Sequence, residues 1–308
     1  RALDVAQRTV ATAADILGAE RQETLQARNY EAYSHQRAGD ASQAISLLEA
    51  LLADQQRILG AEHPDTLQTR NDLAGAYRAA GRVHDAIAIY EQLLVHHEKV
   101  LGREHPSTLT VRNNLASAYH GAERVDEAIA MYEPLLAEQE RMFGAEHPET
   151  LATRHNLAGA YRDAGRADEA IAMFEPRLAD YERMYGLEHP DGLTMRGHLA
   201  DAYQDAGRIQ DAVTLYEAVL AAEERILGAT NPDTLIIRHN LAYAFQAASR
   251  VEEAIAIYEP LLADSERICG AEHPHTLITR GNLALAYRLA AREADAAALE
   301  NAGAPSDA

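Results

Sequence analysis

The sequence contains no tryptophan, one cysteine and a single lysine, Lys99. One cysteine excludes an intrachain disulfide framework and a zinc site built from cysteine pairs. No run of about 18 apolar residues is present, so the sequence predicts no membrane span. No secretory signal is visible, but the chain opens at Arg1 and not at methionine, and we expect a further segment upstream. One lysine among 28 basic residues, with abundant alanine, is typical of a GC-rich, bacterial genome.

Positive charge is also scarce. Aspartate and glutamate number 48 against 28 lysine and arginine residues, which gives a net charge of −20 with neutral histidine. Nucleic acids and anionic membranes bind basic surfaces, so this balance argues against both as partners. Hydrophobic residues make up 47% of the chain, so it can bury a core and does not have a disordered composition.

An internal repeat organises the 308 residues, although their number alone would suggest about two domains. A proline recurs every 42 residues with similar flanking text, as in GAEHPDTLQTRNDLAGAYRAAGR and GAEHPETLATRHNLAGAYRDAGR. The prolines are Pro64, Pro106, Pro148, Pro190, Pro232 and Pro274. Six copies in register, without insertion or deletion, are the signature of a solenoid.

Each copy predicts a pair of helices. Apolar residues recur at helical spacing from Pro64 to Ala80 and from Val83 to Val100, and Gly81 separates the two segments. Proline is favoured in the first turn of a helix, and a residue that accepts a backbone N–H is favoured just before it. We therefore predict that the residue before each proline caps the first helix. These residues are His63, His105, His147, His189, Asn231 and His273.

The spacing Leu73-Ala74-x-x-Tyr77-x-x-x-Gly81-x-x-x-x-Ala86-x-x-x-Tyr90 resembles the core of the tetratricopeptide repeat (TPR) family. The 42-residue period and the wording LG-x-x-HP-x-T-L, followed by N-L-A-x-A-Y, are similar to the kinesin light chain type, which is also common in bacterial proteins. The resemblance covers residues 19 to about 300. It implies an all-α TPR solenoid, a right-handed superhelix of antiparallel helix pairs whose first helices line a concave groove.

The repeat register also gives the domain organisation. Residues 1–18 end in Ile16-Leu17-Gly18, which overlays Ile58-Leu59-Gly60, so they predict the second helix of a truncated preceding repeat. Residues 19–300 form a single array of about seven repeats, and residues 301–308 are predicted to be a disordered tail. The repeats, numbered one to seven, are 19–60, 61–102, 103–144, 145–186, 187–228, 229–270 and 271–300. Repeat one is degenerate, as capping repeats often are.

Catalytic chemistry is not predicted. The cap histidines recur one repeat apart, too far for one metal ion to collect them, and His96 and His97 point to different faces of a helix. Cys269 occupies a slot that holds leucine, phenylalanine or tyrosine elsewhere, so we interpret it as a small buried hydrophobe. Paired carboxylates such as Asp126-Glu127 begin second helices, where negative charge suits the helix dipole. We predict no enzyme activity, no cofactor and no metal site.

Two aromatic columns are predicted to be core, one containing Tyr77 and the other Tyr90. Phenylalanine replaces tyrosine in each column, at Phe245 and Phe174, which indicates that the ring fills space and the hydroxyl is dispensable.

An arginine recurs beside the buried stripe of every first helix, 42 residues apart from Arg28 to Arg280, where kinesin light chains usually have leucine. A buried charge must be paired. We predict an ion pair with the glutamate that recurs in second helices from Glu49 to Glu259. The alternative is an arginine that extends to the surface.

The first helices carry the candidate binding groove, because their slots opposite the buried stripe vary while the core slots do not. An amide both donates and accepts, so one asparagine per repeat could hold an extended peptide backbone, a use that the resemblance implies. The alternative is that these asparagines bond water or neighbouring helices. The candidate groove residues are Asn71, Arg78, Asn113, Asn114, His155, Asn156, Arg162, His239, Asn240, Tyr243, Asn282 and Leu285.

The predicted groove is polar in the N-terminal half, as at Gln68 and Arg78, and more apolar near the C-terminal end. Exposed apolar surface often marks a binding site, unless the terminal helix folds over it. The apolar positions are Ile236, Tyr243, Ile278, Leu285 and Leu289.

These observations predict a non-catalytic scaffold that binds a protein or an extended peptide segment in its concave groove. We expect it to be the interaction or sensor region of a larger bacterial, cytoplasmic protein, with no nucleic-acid or membrane partner. The alternative is a self-assembling structural protein whose open repeat ends stack between chains.

Overall fold

A computed structural model describes residues 2–302, which form fifteen α-helices and no strand. This confirms the predicted all-α fold of helix pairs for the described residues. Residues 303–308 of the predicted tail lie outside the described residues, whereas 301 and 302 continue the last helix. The helices are α1 (Ala2–Leu17), α2 (Gln22–Arg37), α3 (Ala41–Ile58), α4 (Pro64–Ala79), α5 (Val83–Val100), α6 (Pro106–Gly121), α7 (Val125–Phe143), α8 (Pro148–Asp163), α9 (Ala167–Tyr185), α10 (Pro190–Asp205), α11 (Ile209–Ile226), α12 (Pro232–Ala247), α13 (Val251–Cys269), α14 (Pro274–Leu289) and α15 (Glu293–Ala302).

The helices form two compact units, with the boundary between Ala160 and Tyr161 inside α8. In the first unit each helix from α1 to α7 packs against the next, and the first helices α2, α4 and α6 also contact one another in order. In the second unit the same arrangement runs from α9 to α15, with α10, α12 and α14 as the successive first helices. Each unit therefore presents a row of first helices and a row of second helices.

The histidine–proline pairs begin the first helices as predicted. His63 has an extended backbone, and its Nδ1 accepts the N–H of Asp65 at 3.1 Å, while Pro64 occupies the first turn. Asn231 accepts the N–H of Asp233 at 2.9 Å in the same way. Each cap satisfies one of the N–H groups that a helix start leaves unpaired, so the predicted capping role is confirmed.

The core of each repeat combines fully buried alanines with larger side chains. Ala74, Ala76 and Ala86 have no exposed surface, and these small side chains let two helices approach closely. Tyr90 and Leu93 are almost completely buried and join a cluster that continues into the next repeat. Each fully buried side chain of this size stabilises the fold by about 1.5–3 kcal/mol, so neither helix of a pair is expected to be stable alone.

The hydroxyls of the first aromatic column form hydrogen bonds that the sequence analysis did not predict. The Tyr77 hydroxyl donates to Glu49 Oε1 at 2.6 Å, and the equivalent pairs Tyr119–Glu91, Tyr203–Glu175 and Tyr287–Glu259 form as well. The guanidinium of Arg82 lies 4.1 Å above the Tyr77 ring. Each hydroxyl therefore joins the first helix of one repeat to the second helix of the repeat before it. Phe245 keeps the stacked arginine but cannot make this bond.

Six of the seven recurrent arginines form ion pairs among the described residues, Arg70 being the exception, but the predicted glutamate partner was wrong. Arg28 pairs with Asp54 at 2.7 Å, and Arg154, which is 1% exposed, pairs with Glu140 at 2.9 Å. These acids lie five or seven residues beyond the predicted column, whose members instead accept the tyrosine hydroxyls. The further pairs are Arg112–Glu138, Arg196–Glu182, Arg238–Glu224 and Arg280–Glu266.

Candidate binding surface

In each unit one side of the first helices faces solvent, and we call it the first-helix face of that unit; the two units' faces contain all twelve candidate groove residues. Each face consists of the slots 4, 7, 8, 11 and 14 residues after the position of the repeated proline. At about 3.6 residues per turn these slots fall on one side of a helix. Four of the candidates are exposed, namely Arg78, His155, Tyr243 and Leu285. The other eight are half-buried, namely Asn71, Asn113, Asn114, Asn156, Arg162, His239, Asn240 and Asn282.

In the first unit the asparagines bond to one another between neighbouring first helices. Asn114 Nδ2 donates to Asn71 Oδ1 at 3.0 Å, and Asn156 Nδ2 donates to Asn113 Oδ1 at 3.3 Å. Each of these amides therefore uses a donor on its own chain. Within residues 2–160 no side chain or backbone group donates to the oxygens of Asn114 and Asn156, so those oxygens remain acceptors on the face.

Arg78 provides positive charge on the face of the first unit. It is exposed, and no carboxylate among the described residues forms an ion pair with it. Its charge acts on the buried Tyr90, where it opposes the rise in pKa, to about 12, that burial causes. A cation without a carboxylate partner is available to an acidic or hydrogen-bond-accepting ligand.

In the second unit the equivalent arginine is neutralised. Arg162 pairs with Asp201 at 3.1 Å and with Asp205. Asp201 also accepts the Tyr216 hydroxyl and, at 3.3 Å, the amide of Asn240. Burial, and then the charge of Asp201, raises the pKa of Tyr216. The structure thus brings Arg162 and Asn240 together around one carboxylate, and with two carboxylates to one arginine the network leaves no free positive charge for a ligand.

His239 and Asn282 form the second contact between first helices in this unit. Asn282 Nδ2 lies 3.2 Å from His239 Nε2, and Thr279 Oγ1 lies 3.4 Å from His239 Nδ1. Burial, and then the nearby His275, lowers the pKa of His239. Because an amide nitrogen donates, Nε2 accepts here, and this arrangement requires the neutral ring.

The apolar part of the predicted groove is exposed in the structure. Its five side chains lie on α12 and α14, which contact each other, and each is 44–56% exposed. Sites of this kind favour apolar ligand groups. We call these residues the apolar patch: Ile236, Tyr243, Ile278, Leu285 and Leu289.

Two clefts at the edge of the first-helix face were missed by the sequence analysis. In the first unit a cleft of about 460 Å³ opens between α4, α5 and α6. In the second unit a cleft of about 250 Å³ lies at the equivalent place and shares Ile236 with the apolar patch. Cys269 lines this second cleft and is exposed, so its interpretation as a buried hydrophobe was wrong. The small side chains of Ser265 and Cys269, in slots that hold larger residues in other repeats, were the feature of the sequence that could have indicated the second cleft.

Among residues 2–302 no group of three or more histidine, cysteine, aspartate or glutamate side chains is arranged to hold a metal ion. Within the same range, no helix is long and apolar enough to span a membrane.

Comparison with protein families identifies the same helix-pair repeat that the geometry shows. A model described as the tetratricopeptide repeat matches residues 23–94, 71–137, 107–183, 191–259 and 236–303. No curated protein sequence matches the chain.

Solved structures show both sequence and fold similarity. Nearly identical TPR-like repeats of a Podospora anserina protein assigned as a kinesin light chain are 36% identical, with 66% of this chain and 96% of that chain covered and a TM-score of 0.61. BtubC (BKLC) from P. vanneervenii is 23% identical over 74% of this chain and 92% of its own, with a TM-score of 0.61. PH0952 from Pyrococcus horikoshii, a signal transduction ATPase with numerous domains (STAND) and a TPR sensor, is 13% identical over 97% of this chain and 43% of its own, with a TM-score of 0.65.

Proposed function

The chain belongs to the tetratricopeptide repeat family, with kinesin light chain-like repeats, and on this premise we propose that its first-helix face binds an extended segment of another protein. TPR folds are generally non-catalytic scaffolds for protein–protein interaction. The observation that carries the proposal is the apolar patch, where five large side chains on adjacent first helices face solvent. A folded chain gains free energy by burying such side chains, and a partner can supply the missing contacts.

The asparagines of the first-helix face favour binding to the backbone of a partner segment over binding to a particular side chain. Because Asn114 and Asn156 already donate to neighbouring helices, each offers an oxygen to the partner. We propose that these oxygens accept backbone N–H groups of the segment. This narrows the sequence-based expectation, in which each amide would both donate and accept.

In the first unit, the polar part of the first-helix face would contribute selectivity of its own. Arg78 is exposed, so we propose that it bonds carboxylate or carbonyl oxygens of the segment there. The contact between Arg78 and the segment would change the specificity and the association rate more than the total affinity.

We further propose that the chain is the interaction or sensor region of a larger bacterial, cytoplasmic protein. The fold similarity to a STAND protein with a TPR sensor supports the idea that such an array can report binding to another domain. The sequence composition supports the bacterial source.

The proposal is tested by affinity capture with matched variants. The double variant Ile278→Thr with Leu285→Ser places in repeat seven the residues that repeat three has in the same slots, Thr110 and Ser117. The control is Val95→Ser, because Val95 is an equally apolar, 69% exposed residue of the second helix α5. A protein retained by the wild type and the control, but lost with the double variant, supports the proposal. Retention by all three contradicts it.

End-to-end stacking is distinguished by light scattering of the isolated chain. A mass that stays monomeric as the concentration rises supports the binding module. Growth of the mass with concentration supports the structural alternative.

A further inference from the structure

The repeat-two cleft, between α4, α5 and α6, adjoins the first-helix face and shares Asn71 with it, but most of its lining lies outside that face. Its volume of about 460 Å³ is in the range of small-molecule sites. Leu67, Val100 and Leu101 supply apolar walls, and His97 and Asn71 supply polar atoms.

His97 is the main polar feature of this cleft. It is only 8% exposed, and its Nδ1 lies 2.8 Å from the carbonyl oxygen of Leu93. A carbonyl can only accept, so Nδ1 must carry the proton and Nε2 of the neutral ring has a lone pair. No donor to this Nε2 exists in the part of the chain that the structure covers. This nitrogen is not sealed from solvent, so a ligand N–H or O–H would replace water as its donor in the cleft.

Asn71 adds a complementary donor to the cleft. Its oxygen accepts from Asn114 at 3.0 Å, so its orientation is set, and its Nδ2 has no acceptor among the residues described. At the rim, His96 Nδ1 lies 2.5 Å from Glu62 Oε2. The cleft thus offers one acceptor, at His97, and one donor, at Asn71.

Repeats three and four place larger side chains in the slot of Leu101, whereas repeats one and five also have leucine there. Repeat three has Phe143 where repeat two has Leu101, and its ring centroid lies 4.8 Å from that of the cap histidine His147. Repeat four has Tyr185, at 5.5 Å from the cap histidine His189. Leu101 leaves room beside His105, which also lines the cleft.

We propose that the repeat-two cleft binds a neutral ligand with an apolar body and a carboxamide-like edge, whose N–H donates to His97 Nε2 and whose carbonyl accepts from Asn71. A neutral carboxamide fits these two groups because it both donates and accepts, whereas a carboxylate only accepts and an ammonium group only donates. This inference does not depend on the first-helix face binding a segment. The same chemistry could come from a free small molecule or from an amide side chain of a bound segment.

Benzamide is the direct probe of this site, read out by the ring nitrogen-15 signals of His97 at neutral pH. We expect a saturable shift with a dissociation constant in the millimolar range. N,N-dimethylbenzamide has the same ring but no N–H, and one lost hydrogen bond weakens binding about tenfold. Benzoate should bind no better than the dimethyl compound.

The matched variants use residues from the chain's own repeats. Leu101→Phe reproduces the residue of repeat three and should abolish the shift without lowering thermal stability. Cys269→Phe makes the same change at the equivalent slot of repeat six and should leave the shift intact. Absence of a saturable shift, equal binding of the dimethyl compound, or full binding to Leu101→Phe would overturn the proposal.

A competition measurement identifies the source of the ligand. If a segment captured by the first-helix face displaces benzamide, the ligand is an amide side chain of that segment. If both bind together, the ligand is a free small molecule. In either case the site stands, because the His97 shift defines it.

Discussion

The two units have nearly the same core and different first-helix faces. In the first unit the face has linked asparagines and the exposed Arg78, whereas in the second unit Arg162 is paired with Asp201 and the surface is dominated by the apolar patch. The fully buried alanines, by contrast, occupy the same slots in both, as at Ala74 and Ala242. The difference teaches that the core slots of the repeat stay constant while the slots of the first-helix face, which we propose bind a partner, vary.

The largest expected effect comes from removing the apolar patch. Ile278→Thr with Leu285→Ser should lower the affinity for a captured partner about hundredfold, since about 2–3 kcal/mol of apolar burial is lost. The equivalent change in the first unit, Gln68→Thr with Gly75→Ser, should change the affinity about threefold or less. Isothermal titration calorimetry of both variants checks this. Equal losses in the two units would remove the asymmetry that we infer.

The next effect concerns the two arginines in the same slot. Arg78→Glu should weaken partner binding about tenfold, and more at low salt than at high salt, because Arg78 is available to the partner. Arg162→Ala should mainly lower the free energy of unfolding, by about 1 kcal/mol, because it leaves Asp201 and Asp205 without their cation. Binding and denaturant unfolding, measured on both variants, separate the roles. A larger binding defect for Arg162→Ala would reverse them.

A smaller effect on stability is expected at one buried slot near the ends of the second helices, where the two units differ. The slot holds Gln55, His97 and Gln139 in the first unit and Tyr181, Glu223 and Ser265 in the second. Gln55 and Gln139 are both 1% exposed, and Glu223, the acid of this slot, is 7% exposed. Burial, and then the charge of Asp233, raises the pKa of Glu223. One carboxylate oxygen of Glu223 has no partner among the described residues.

Glu223→Gln should therefore stabilise the chain by about 1 kcal/mol at neutral pH. A glutamate with a raised pKa in the folded state prefers to be protonated there, so the ionised form is destabilising above its ordinary pKa of about 4.3. The gain should disappear as the pH falls through that value. Denaturant unfolding at neutral and acidic pH measures this gain in stability. The reverse substitution in the first unit, Gln139→Glu, should lower stability at neutral pH. A gain that persists unchanged in acid would contradict the explanation.

The smallest effect is a pH dependence at the histidine slot of the face. His239 is half-buried and its pKa is lowered, first by burial and then by His275, whereas His155 in the first unit is exposed. Unfolded His239 therefore takes up a proton at a higher pH than folded His239. Stability should fall as the pH drops below about 6.5. Asn71 occupies the same slot in repeat two, so asparagine is tolerated there. His239→Asn should therefore reduce the dependence of stability on pH, and His155→Asn should not. Equal slopes for all three proteins would contradict the assignment.

The local structure could be predicted from the sequence to a large extent, because it depends on short spacings. The histidine–proline caps, the helix pairs and the exposed apolar patch follow from positions within one repeat, such as His63 beside Pro64. Contacts between repeats could not be chosen in this way. The second helix α3 carries two acids that could serve as partners, Glu49 and Asp54. Only the packing shows that Arg28 pairs with Asp54 and that the Tyr77 hydroxyl donates to Glu49.

The clefts were not predicted for a related reason. A cleft depends on the difference between the volume that neighbouring helices leave and the side chains that fill it. Leu101 and Phe143 both continue an apolar column, and the sequence gives no measure of the space beside each of them. The same limit applies to Cys269, which was interpreted from its column as buried but lies at the exposed edge of a cleft.

The central claim is that the first-helix face holds another polypeptide, and site-specific photocrosslinking tests it most directly. A photoreactive p-benzoylphenylalanine placed at Leu285, on the apolar patch, should cross-link to a captured partner. The same group placed at Ala263, an exposed residue of the second helix α13, should not. Cross-linking at Ala263 but not at Leu285 would show that the partner binds a different surface and would contradict the account.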